Sequence, residues 1–150
     1  LLILPAWVGI TLFSAVCGAA MWKGGAPERL TAAWLVLGWA ATLLLRDPRW
    51  PHLQWGTLTI DVAFFVFLLV LALRTDRFWP IFAAGFQFLA VLTHLARLLD
   101  REMGSWVYLT ADIIWTYLIL FALAVGAWGC WRARAVGEWA SERRAVSEDG

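Results

Sequence analysis

Five long apolar runs, each ended by a short polar joint, constrain this chain more than any single residue does. They fall at about 2–22, 30–46, 56–73, 79–99 and 106–131. A helix rising ~1.5 Å per residue needs ~17–25 apolar residues to cross ~30 Å of hydrocarbon. The joints read KGGAPE, DPRWPH, FWP and EMGS, where proline and glycine interrupt helices. Links this short set neighbouring helices antiparallel in one bundle. The sequence therefore predicts an all-α fold, a single domain over 1–131 that is an integral membrane bundle of five transmembrane helices. A polar, cytoplasmic tail follows at 132–150, with continuation of the last helix along the inner membrane surface as the alternative.

Composition supports a lipid solvent. Hydrophobic residues make up 62% of the chain and charged ones 15%, where soluble domains carry about a quarter charged. A net charge of +1 without a basic face argues against a nucleic-acid partner. The lipid bilayer is the expected partner. Lys23 is the sole lysine among twelve basic residues and alanine is abundant, a bias that suggests a bacterial genome.

Basic residues set the expected orientation. A cytoplasmic C-terminus puts Lys23, Arg29, Arg74, Arg77, Arg132, Arg134, Arg143 and Arg144 inside, leaving only Arg46, Arg49, Arg97 and Arg101 outside. The expectation is a multi-pass protein of the bacterial inner membrane with its N-terminus outside. The first run lacks the positive flank of a signal peptide and is kept as a span. Trp7, Trp50, Trp55 and Trp106 then mark the outer interface, and Trp22, Trp79, Trp128 and Trp131 the inner one. Trp39 and Trp115 fall deeper, where packing is the plainer role and stacking on a ligand the alternative. Cys17 and Cys130 lie toward the cytoplasmic side as reduced thiols.

Within this frame the chain nearly repeats itself. Sliding it by 51 residues aligns 30–73 with 81–124 without a gap, with ten identities where roughly four are expected by chance. The rarer matches carry weight: Arg46/Arg97, Trp55/Trp106, Thr59/Thr110 and Asp61/Asp112. Helices 2–3 and 4–5 would form a parallel tandem hairpin repeat, related by an axis along the membrane normal.

Asp61 and Asp112 are the residues this pattern makes demanding. Each sits about two turns into its helix, where an unpaired carboxylate costs a few kcal/mol. Arg46 and Arg97, ending the preceding helices on the same side, are the expected partners through bidentate contacts. Gln87 and His94 break the repeat and share one helix face, and His94 lies at a depth similar to Asp112. Tyr108 and Thr116 flank Asp112 at four-residue spacing. The candidate site for an ion, a proton or a small ligand is thus Asp61, Asp112, His94, Arg97, Arg46, Gln87, Tyr108 and Thr116. The plainer alternative is that the Arg–Asp pairs only fix helix register.

No metal-ligand spacing, haem motif, P-loop, GxGxxG or hydrolase signature occurs, so no cofactor, metal or catalytic residue is expected. Span number, length and tryptophan count resemble, in gross features only, the tryptophan-rich sensory proteins related to the translocator protein. That family carries its tryptophan- and proline-rich loop after the first helix, where this chain has KGGAPE. This departure sets the chain apart from it. Two readings follow: a small membrane protein that binds or translocates an ion, proton or small ligand, or a non-catalytic accessory subunit of a larger complex. Small-residue stretches such as AAWLVLGWAA would favour close contact with a partner helix or a second copy.

Overall fold

The computed structural model describes residues 6–44, 53–99 and 105–148. Among these the chain forms five α-helices: α1 (Ala6–Lys23), α2 (Ala26–Leu44), α3 (Leu53–Arg74), α4 (Trp79–Leu99) and α5 (Ser105–Glu148). Each helix touches its neighbours in sequence, α5 closes the ring on α1, and α2 also reaches α5. The most extensive contacts are α4 on α5 and α3 on α4, and the least are those of α2 with α3 and with α5. The two hairpins of the 51-residue alignment are therefore packed unequally.

Among the described residues three helices are long and apolar enough to cross a membrane: Gly56–Arg74, Trp79–Arg97 and Thr110–Trp139. This is the mark of a membrane protein, and it is narrower than the five spans read from the sequence. The described apolar part of α1, Trp7–Lys23, is shorter. The second helix starts at Ala26, four residues before the predicted run, and so includes Glu28 and Arg29. The fifth does not stop at 131. It continues to Glu148 as one 44-residue helix, roughly 66 Å at ~1.5 Å per residue, so most of the predicted polar tail is a helical extension.

Local chemistry explains the joints. At the start of α2 the Gly25 N–H donates to Glu28 Oε2 at 2.8 Å, the returning half of a capping box. The preceding turn needs Gly24, because a Cβ there would lie 2.2 Å from the Ala20 carbonyl oxygen. Pro80 sits in the first turn of α4, where its missing N–H has no helical partner to lose. The core between the helices is built from Phe64, Leu68, Ile119, Leu120 and Leu123 against the small Ala83, Ala84, Ala122 and Ala127. Small residues let helix backbones approach closely where lipid provides no hydrophobic drive. Trp34 joins α2 to α3 by stacking on Phe64 and Phe67, with centroids 6.1 and 5.3 Å away.

Candidate functional site

Near one end of the bundle, α3, α4 and α5 bring three ionisable side chains together. His94 Nε2 lies 2.9 Å from Asp61 Oδ2 and 3.7 Å from Asp112 Oδ1. Gln87, two turns away on the same face of α4, donates from Nε2 to Asp61 Oδ1 at 3.0 Å and to the Asp61 carbonyl at 3.2 Å. Asp61 is thus held from two sides and its side chain is 23% exposed, whereas that of Asp112 is 44% exposed. Gln87 and His94 are both buried. Asp61 gives the buried imidazole and the buried amide of Gln87 their polar partners, and Asp112 adds a second carboxylate on the more exposed side.

The sequence assigned each acid its own arginine, and the structure sets one histidine between both acids. Arg97 is half-buried in the last turn of α4, close enough for its charge to act on His94. Arg46 lies outside the described residues, as does the side chain of Tyr108 on α5. Thr116 donates its hydroxyl to the Asp112 carbonyl at 2.9 Å, a bond along its own helix. Trp115 donates its indole N–H to Thr93 Oγ1 at 3.1 Å and so ties α5 to α4.

The more exposed carboxylate opens onto a cavity. A groove of about 300 Å³ runs between α1, α2 and α5, and Asp112, Thr116, Tyr117, Phe13, Ile10 and Trp39 line it. Phe13 and Trp39 pack against each other across α1 and α2, with centroids 5.7 Å apart. Among the described lining residues, Asp112 alone carries a charge. Tyr117 and Phe13 were not singled out by sequence reasoning, because aromatic residues in an apolar run look alike until helix rotation is known.

A second polar centre, also missed, lies at the opposite end. Glu28 is fully buried and accepts from Arg77 Nη1 at 2.7 Å, Trp79 Nε1 at 2.9 Å and the Gly25 N–H at 2.8 Å. Arg77 reaches it from the α3–α4 turn and also approaches Cys130 Sγ at 3.9 Å. The indole of Trp79 lies flat against α5 only because residue 126 is glycine, where a Cβ would stand 2.6 Å from the ring. Nearby, Arg134 donates to the Gly24 carbonyl at 3.2 Å and the Lys23 ammonium sits 4.8 Å from the Trp131 ring centre. The one readable sign was GAPE, a capping-box start whose glutamate needed a partner. Cys17 and Cys130 are both free and buried.

A comparison with protein-family models, with curated proteins and with solved structures finds no match for this chain. Among the described residues no group of three or more His, Cys, Asp or Glu could hold a metal ion. The Asp61–His94–Asp112 cluster sets between two carboxylates an imidazole, the side chain type that ionises near neutral pH. The Glu28 centre differs in kind: its carboxylate has three donors, and no buried side-chain polar atom among the described residues lacks a partner.

Proposed function

We propose that this chain is a small, non-catalytic, polytopic protein of the bacterial inner membrane whose Asp61–His94–Asp112 cluster is a protonatable binding site. The site lies near the outer leaflet and serves the binding or translocation of an ion, a proton or a small ligand. The observation that carries this reading is one imidazole shared by two carboxylates from different helices, 2.9 and 3.7 Å away. Ionisable residues inside a membrane are expensive, and such groups commonly mark a path or a site. The count of basic residues supports the N-terminus outside and the C-terminus in the cytoplasm. Recurrence of the aspartate after 51 residues supports an origin of the two acids in a duplicated hairpin.

The chain contains two histidines, so ¹⁵N-histidine NMR in nanodiscs tests the proposal directly, with His52→Ala assigning the signals. The His94 resonance should titrate as the pH is scanned through the range in which imidazoles ionise, and Asp61→Asn or Asp112→Asn should move its midpoint. A His94 signal that is flat across this range, or unmoved by both substitutions, would sink the reading.

One observation favours the accessory-subunit alternative. Only 11% of the α3 span is buried, and Val62, Val66, Leu69, Val70 and Leu73 are exposed along it. Lipid covers such a face adequately, and so would a partner helix. Gentle detergent extraction that recovers a stoichiometric second protein would support this alternative, and a lone monomer would count against it.

A further inference from the structure

The groove beside Asp112 has a chemistry that selects a ligand class. Its walls are mostly apolar, with Phe13, Trp39 and Tyr117 providing aromatic surface and Asp112 the one charge among the described lining residues. A volume of about 300 Å³ lies at the small end of ligand pockets, which typically span ~300–1,000 Å³. An anion would meet a carboxylate there, and a strongly hydrated metal ion would meet mostly hydrocarbon. A weakly hydrated organic cation fits both demands: its alkyl groups pack on the apolar wall, its charge faces the carboxylate, and aromatic faces attract it further. We infer that the α1–α2–α5 groove binds a small monovalent organic cation, a quaternary ammonium or a protonated amine, with Asp112 as counter-ion.

This inference rests on the proposed protonatable cluster and adds its ligand. Asp112 lines the groove and also stands 3.7 Å from His94 Nε2, so the same carboxylate serves the cation and the imidazole. The groups facing His94 are Asp61 from α3, Asp112 from α5 and Arg97 on α4 itself. With both acids ionised, Arg97 charged and His94 neutral, the cluster carries one net negative charge. A bound cation brings it to zero, and so does a proton on His94. Cation and proton therefore compete: binding one disfavours the other by the same factor.

The test is equilibrium binding of radiolabelled tetraethylammonium to the full chain in phosphatidylglycerol nanodiscs. Saturable binding is expected, weakened at least tenfold by Asp112→Asn and severalfold by Trp39→Leu, with the fold of each variant checked by circular dichroism. Lowering the pH by one unit through the His94 titration should weaken binding up to about tenfold, the limit for one displaced proton. Trp39→Leu leaves the carboxylates in place, so the inference remains testable if Asp112→Asn does not fold. No saturable binding, or equal affinity in the parent and both variants, overturns it. Equal binding of the neutral isostere 3,3-diethylpentane also overturns it, since the groove would then be merely apolar. Loss of tetraethylammonium binding in phosphatidylcholine nanodiscs would make a lipid headgroup the occupant and overturn the free-ligand assignment. If His94 still titrates while tetraethylammonium fails to bind, the ligand class falls and the protonatable site stands. A flat His94 signal removes the site itself.

Discussion

Replacing Glu28 with alanine should be among the most damaging single changes in the described part of this chain. The substitution removes one carboxylate and leaves three donors without their acceptor: Arg77 Nη1, Trp79 Nε1 and the Gly25 N–H. Trp79 is buried, so its orphaned indole N–H costs about 1–3 kcal/mol. The start of α2 loses the Glu28 half of its cap, worth up to ~1 kcal/mol. Breaking a buried ion pair costs ~3–5 kcal/mol when the remaining charge is trapped. Arg77 is 39% exposed and can swing into water, which moves its share toward zero. The expected loss is therefore about 3 kcal/mol in all, which for a chain of 150 residues corresponds to a fall in Tm of about 6–12 °C. Thermal unfolding in detergent, followed by circular dichroism, measures it. A variant within ~0.5 kcal/mol of the parent, the range of a neutral surface change, would show that the network is decorative and that its burial has been misread.

Further outcomes follow from the same geometry. Gly126→Ala should lower stability by about 1–3 kcal/mol through overpacking against Trp79. Combined with Glu28→Ala it should be less than additive in the same unfolding assay, because both changes release the same indole. Leu68→Ala, at a fully buried position in α3, should cost roughly 2 kcal/mol, mostly from the cavity, since lipid already solvates a leucine in the unfolded reference. For Arg77, burial pushes the guanidinium down, but contacts with Cys130 and Glu28 outweigh it and hold it above its ordinary range. A base raised on folding contributes stability that is complete below its unfolded pKa and lost only as pH rises through the folded value. The loss of Tm in Arg77→Met should accordingly be equal at about pH 6 and about pH 9, and a loss that shrinks across this window would contradict a charged Arg77.

Much of the membrane class and the helical fold was legible in the chain itself. Transfer into lipid is a sum over residues, and helix joints are set by local proline, glycine and capping chemistry. Asp61, Asp112, Gln87 and His94 were likewise readable as polar residues that an apolar helix must satisfy, since each carries that demand wherever its helix turns. Their partners were not readable. Which base meets which acid depends on the rotation and depth of whole helices, and those follow from how Leu68, Leu120 and Leu123 interlock with the alanines of α4 and α5.

Sequence alone thus determined that the chain is helical and apolar enough for a membrane, and that Asp61 and Asp112 need partners. Tertiary packing decided that His94 stands between both aspartates and that Asp112 opens onto an aromatic groove. It also turned Glu28, read from the sequence as part of a polar joint, into the acceptor of Arg77 and Trp79 from some fifty residues away. The reason is physical: burial energies and capping are fixed by near neighbours along the chain, whereas a hydrogen bond between helices exists only once their relative positions are settled to within a fraction of a turn.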